Sequence, residues 1–175
     1  MGFNGKRLMQ DRVEGKAQGG VYGIVSSSNE PKNTTKKGEI TEIMVLARLI
    51  QLGYTCLIPW GHDHRYDSAV DDDGRLVRVQ CKTVRSIEGR RCLGFNTGIP
   101  YARVGGKPHI RKGYEGGAEY FGVYAPHTAK IYLIPVEDMP VGSKGLLRIS
   151  ETKNNQQQGV KWAQDYEIQR AGGRT

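Results

Sequence analysis

Cysteine is scarce in this 175-residue chain. Only Cys56, Cys81 and Cys92 occur, and no two of them form a C-x-x-C pair. An odd number with such spacing argues against a secreted disulfide framework and gives no support to a cysteine zinc site. Cys56 and Cys81 sit in apolar runs and read as small core residues in a reducing, intracellular setting. Long apolar runs are absent too: no stretch of about 18 apolar residues occurs, and the N-terminus lacks the apolar core of a signal peptide. The expectation is a soluble cytoplasmic protein that does not span a membrane. Internal repeats are lacking. Acidic residues are in deficit, 18 against 26 Lys and Arg, for a formal charge of +8. An excess of this size favours a polyanionic partner, most commonly nucleic acid.

The length suits one domain with a real core. Large apolar groups concentrate between Ile40 and Val84 and between Tyr120 and Val136, where the core is expected. Residues 1–33 differ. They are rich in Gly, Ser and basic residues, with one short strand-like piece at Val21, Tyr22, Ile24 and Val25. They read as a basic N-terminal arm, with residues 34–175 as the folded domain.

A helix should follow, capped by Asn33, Thr34 or Thr35, with Glu39 and Glu42 near its positive end. Ile40, Ile43, Met44, Ala47 and Ile50 keep the i, i+3, i+4, i+7 spacing of an apolar stripe, and Gly53 ends the helix. Tyr54–Pro59, Tyr66–Val70 and Arg75–Val84 read as strands. Asp71-Asp72-Asp73-Gly74 makes a hairpin turn between the last two. The Asp run is no calcium loop, because Ala69 stands at the first ligand position and no Glu lies at the needed distance. Residues 86–117 are rich in Gly, Lys and Arg and show no clear element. Glu119–Ala125 and Lys130–Val136 read as a second hairpin, and Val160–Tyr166 as a short amphipathic piece.

Chemistry gathers on the third strand. Side chains alternate along it, so Val77, Val79 and Cys81 face a core while Arg78, Gln80 and Lys82 share the other face. Gln80 and Lys82 are then about 7 Å apart. Pairing about the Asp73-Gly74 turn brings Asp67 level with Gln80. A carboxylate, an amide oxygen and an ammonium thereby meet, which suits phosphodiester hydrolysis. Asp67 is a natural ligand for a hard divalent cation that neutralises phosphate charge and acidifies a bound water, with the Gln80 and Cys81 carbonyl oxygens filling part of its shell. Lys82 would orient or deprotonate that water, or steady developing negative charge. Glu42 and Glu39 both turn partly inward on the helix wheel. Of the two, Glu39 reads as a helix N-terminal charge rather than a ligand. His62-Asp63-His64 reads as a loop beside Asp67 that approaches the substrate.

Gly38-x-x-x-Glu42 on a helix, Tyr66-Asp67, then Val79-Gln80-Cys81-Lys82-Thr83 resembles the PD-(D/E)xK nuclease superfamily, in particular its homing endonucleases associated with group I introns. The match extends through Gly53-Tyr54, Pro59, Tyr132–Val136, Leu147–Ile149 and Trp162–Tyr166. The resemblance implies an α/β fold, a single domain with a mixed central sheet flanked by helices in an αβββαβ-type order. It implies a Mg²⁺- or Mn²⁺-dependent, site-specific double-strand DNA endonuclease with Glu42, Asp67, Gln80 and Lys82 as catalytic residues. Glu42, Asp67, Gln80 and Cys81 would surround the metal. Two departures stand out. Tyr66 replaces the proline that names the motif, and Gln80 replaces an acid, which removes a negative charge and predicts weaker metal affinity. Arg85, Arg90, Arg91, Lys107, Arg111 and Lys112 are the candidates for tracking DNA phosphates. Cutting both strands implies a homodimer or a dimer of dimers. A resolvase or restriction-type nuclease, and an inert DNA-binding module, are the alternatives.

Overall fold

A computed structural model of the chain describes residues 33–61, 63–88, 91–99, 113–151 and 158–168. Helix α1 spans Thr34–Gln51. Asn33 caps it, its side chain accepting from the Thr35 N–H at 2.9 Å. Gly53 follows the last turn at φ 87°, the left-handed conformation in which glycine is least strained. Because the helix starts at Thr34, Glu39 and Glu42 lie in its second and third turns rather than its first.

The expected stripe on α1 is the wrong one. Thr41, Val45 and Leu49 are buried, whereas Ile43 and Ile50 are 64% and 54% exposed. Two apolar series run along this helix, and spacing cannot tell which meets the sheet. The i, i+4, i+8 series is the one that meets the sheet, with Val45 seated over a glycine. Gly122 on the sheet faces Val45 so tightly that a Cβ there would lie 2.6 Å from Val45 Cγ1.

Strands β1 (Thr55–Leu57), β2 (Ser68–Asp72), β3 (Arg75–Thr83), β6 (Tyr120–Ala125) and β7 (Lys130–Pro135) form one mixed sheet in the order β1-β2-β3-β6-β7. The β2–β3 hairpin turns at Asp73 and Gly74, both at positive φ, with the Gly74 N–H donating to Asp71 Oδ1 at 2.8 Å. Its register, Ser68 opposite Val79 and Asp72 opposite Arg75, is the one predicted from the turn. Strand β6 joins β3 in parallel, which requires a long crossover. Among the described residues that crossover carries β4 (Ser86–Glu88) and β5 (Cys92–Asn96) rather than an α-helix. With β8 (Lys144–Arg148) these make a second, three-stranded sheet.

Both faces of the central sheet are covered. Val45 and Leu49 of α1 pack on Val70, Val77, Val79, Cys81, Tyr124 and Leu133. On the opposite face Phe121, Val123, Tyr132 and Ile134 meet Leu93, Phe95 and Leu147 of the second sheet. Two-sided burial explains why β6 and β7 read as unbroken apolar runs instead of alternating ones. It also enlarges the expected core, since Leu93, Phe95, Leu147, Ala163 and Ile168 are buried outside the two predicted segments. The piece at 160–166 forms a bridge from Trp162 to Arg148 and a 3-10 turn at Ala163–Asp165. All three cysteines are free. No helix among the described residues is long and apolar enough to cross a membrane.

Candidate active site

The end of the β2–β3 hairpin brings together the residues that the sequence singled out. Asp67 stands one residue before β2, where the ladder opens, and its N–H donates to the Val79 carbonyl at 2.9 Å. Its carboxylate then replaces a backbone partner. Asp67 Oδ2 accepts from the Cys81 N–H at 2.6 Å and from Gln80 Nε2 at 2.5 Å. A carboxylate in this role only accepts, so the Gln80 atom that faces it is the nitrogen. The amide oxygen of Gln80 is thereby directed away from Asp67. Among the described residues no hydrogen bond occupies Asp67 Oδ1. Within a strand the N–H and C=O of one residue point to the same edge, so the Cys81 carbonyl also faces the Asp67 side.

Gln80 and Lys82 share the face opposite α1, as alternation predicts, but this face is no open polar surface. Gln80 is buried and Lys82 half-buried beside the β6 residues Phe121 and Val123 that they pair with. Burial pushes the Lys82 ammonium down to about 8, with the Asp67 carboxylate pulling the other way. Burial raises the Asp67 carboxyl, while the Cys81 N–H, Lys82 and Gln80 restrain the rise. Asp67 and Lys82 thus sense each other's charge on one side of the sheet.

Glu42, on α1, feels the charge of Asp67. Its side chain is exposed, yet partial loss of hydration, then Asp67, then Glu39 raise its carboxyl. Thr41, its neighbour, fixes the helix to the end of β3. The Thr41 hydroxyl donates to the Lys37 carbonyl at 3.0 Å and therefore accepts from Thr83 Oγ1 at 2.6 Å. Two carboxylates that repel each other beside amide and carbonyl oxygens are the donor set a hard divalent cation prefers. Among the described residues no three His, Cys, Asp or Glu side chains cluster for a metal. A divalent ion held here by one or two carboxylates would complete its shell with backbone or amide oxygens and water.

Three contacts were not anticipated. Lys82 Nζ donates to the Tyr114 hydroxyl at 2.8 Å. Arg65 Nη2 donates to the Gly113 and Glu115 carbonyls at 2.9 and 3.3 Å. Arg78, on the face of Gln80 and Lys82, pairs with Glu119 through Nη2 and Oε1 at 2.5 Å. These partners lie more than 30 residues apart in sequence, so no local pattern links them.

Of the basic candidates, Arg85 is exposed just past β3 and Arg91 is partly buried before β5; Arg90, Lys107, Arg111 and Lys112 lie outside the described residues. So do His62 and the N-terminal arm up to residue 32. His64 Nε2 is 2.8 Å from the Trp60 carbonyl oxygen, and Trp60 itself is 99% exposed in the loop leading to Asp67.

A family model described as PD-(D/E)XK endonuclease matches residues 32–169. Among solved structures, that of a bacterial homing endonuclease, I-Ssp6803I, is similar with a TM-score of 0.60 at 23% identity, over 77% of this chain and 88% of that one. No curated protein matches at a significant level.

Proposed function

Since the chain belongs to the PD-(D/E)XK endonuclease family and is a nuclease, we propose that it is a Mg²⁺-dependent, site-specific endonuclease that hydrolyses both strands of duplex DNA. The observation that carries this reading is the Asp67 carboxylate, pinned through Oδ2 by Gln80 and Cys81 on the same side of the sheet as Lys82. Asp67 would hold the divalent ion through Oδ1, with Glu42 and the Cys81 carbonyl oxygen sharing its shell; the Gln80 oxygen would join them once metal binding turns the amide that now donates Nε2 to Oδ2. When bound, such an ion neutralises phosphate charge and lowers the pKa of a water. Lys82, whose charge Asp67 feels on the same side of the sheet, would orient that water and balance charge building on the phosphate oxygens. Burial keeps its ammonium from being screened by bulk water, which strengthens both effects. Gln80 contributes an oxygen without a charge. Metal affinity should therefore be weaker than with two acids at the hairpin.

Arg85 and Arg91, with Arg90, Lys107, Arg111 and Lys112, would follow the DNA backbone, in keeping with the net charge of +8. The test is cleavage of a pool of random duplexes followed by sequencing of the product ends. Mg²⁺ should yield ends at a recurrent sequence, and EDTA should remove all cleavage. Random ends would sink site specificity, and no cut in any DNA would sink the reading itself.

One catalytic centre per chain handles one strand, so duplex cleavage requires at least two copies, most simply related by a twofold axis. The apolar face that α1 leaves exposed at Ile43 and Ile50 supports such an assembly. Light scattering should give a mass of two chains or a multiple of two. A strictly monomeric protein that still makes double-strand breaks in single binding events would rule the assembly out.

A further inference from the structure

Tyr114 is held in place as firmly as the residues proposed for catalysis, although it belongs to a Gly-rich stretch with no regular structure. It is 6% exposed and packs edge-on against Phe121, with ring centroids 5.6 Å apart at 86°. Its carbonyl accepts from the Gly117 and Ala118 N–H groups at 2.8 and 3.0 Å, closing a tight turn. Arg65 grips that turn on both sides of Tyr114, through the Gly113 and Glu115 carbonyls. Gly117 makes room for the grip: a Cβ there would lie 2.6 Å from Arg65 Nε. Arg78 secures the far end, donating to the Gly116 carbonyl at 3.1 Å and pairing with Glu119. The Glu119 carboxylate also accepts from the Arg78 N–H at 2.6 Å, and the Glu119 N–H donates back to the Arg78 carbonyl at 3.0 Å.

These two arginines are placed tellingly. Arg65 lies two residues before Asp67. Arg78 lies two residues before Gln80 and four before Lys82. The segment they clasp is thus registered against both strands that build the site. What it presents there is the Tyr114 hydroxyl, 2.8 Å from Lys82 Nζ, with the Tyr114 ring centroid 4.4 Å from the same nitrogen. A lysine has four rotatable side-chain bonds and would otherwise sample many rotamers. Here both the hydroxyl and the ring bear on its charged end. We propose that Tyr114, clasped by Arg65 and Arg78, is the positioning residue that aims the Lys82 ammonium at the phosphate being cut. The proposal rests on the nuclease reading above and adds to it a residue that acts through Lys82.

The decisive variant is Tyr114→Phe, which keeps the ring, its packing on Phe121 and the clasp, and removes only the hydroxyl. Single-turnover cleavage by the full chain with Mg²⁺ should fall about tenfold or more. The Kd for DNA, measured with Ca²⁺ in place of Mg²⁺, and the Tm should both stay at wild-type values. A structural role would instead move Tm, and a substrate-binding role would move Kd. Arg65→Gln should slow cleavage as well, and adding Tyr114→Phe to it should slow cleavage by less than it does in the wild-type background, because both act through one hydroxyl. Cleavage by Tyr114→Phe at the wild-type rate would overturn the proposal. A second readout does not depend on activity. In protein labelled with ¹³C at lysine Cε, the Lys82 resonance, assigned by its loss in Lys82→Arg, should stand apart from those of surface lysines and shift in Tyr114→Phe. An unshifted resonance would overturn the contact itself. If the resonance shifts while wild-type protein cuts no DNA, the nuclease reading has failed and the contact stands.

Discussion

Asp67→Asn should lose cleavage on the order of a thousandfold or more while still binding duplex DNA. Asparagine has nearly the volume of aspartate, and its side-chain oxygen can still accept from the Cys81 N–H and Gln80 Nε2. The hairpin end should therefore keep its shape, and what disappears is the negative charge that would attract the metal. A plasmid-nicking assay across a Mg²⁺ series reads the activity, and fluorescence anisotropy reads the binding. Lys82→Met should lose a similar factor, since methionine preserves the buried stem beside Tyr114 and deletes the ammonium. The two variants should differ towards metal. Divalent ions should raise the Tm of Lys82→Met as they do that of wild type, and should leave Asp67→Asn nearly unmoved. Wild-type cleavage by Asp67→Asn would remove Asp67 from the site altogether.

Gly122→Val should cost about 3 kcal/mol of stability and reduce cleavage as well, although Gly122 carries no chemistry. Its missing Cβ is what lets α1 lie close to the sheet. A Cβ there would come 2.6 Å from Val45 Cγ1 and 3.0 Å from Val79 Cγ1, and neither atom has free space to retreat into, since both valines are fully buried. The helix must lift. The Thr41–Thr83 hydrogen bond then stretches, and Glu42 withdraws from Asp67. Urea denaturation checks the stability. Val45→Ala combined with Gly122→Val should recover part of it, because the smaller partner relieves the collision. A Gly122→Val protein as stable as wild type would show that the helix is not held at this point.

Much of the site is legible in the sequence. The Asp73-Gly74 turn set the β2–β3 register because a two-residue turn with both positions at positive φ leaves little choice of pairing. That register alone delivered Asp67 to Gln80, and strand alternation delivered Lys82 to the same side. Helix α1 shows where such reasoning stops. Its apolar residues make two series, and only the fit of Val45 over Gly122 decides which faces inward. The basic stretch after Lys82 shows the same limit. Among the described residues strand β4 pairs only with β5, and β5 is fixed on its other edge by β8, some fifty residues later, so the sheet they join is not marked locally.

The sequence by itself determined the family, the hairpin, its turn and the identity of the polar residues on its face, since each depends on neighbours in the chain or on a fixed two-residue period. The tertiary structure alone decided the buried face of α1, the second sheet and the Arg65–Tyr114–Arg78 clasp around Lys82. Each of these joins groups that are far apart in sequence, and their pairing follows from shape and hydrogen-bond geometry that only the packed chain provides.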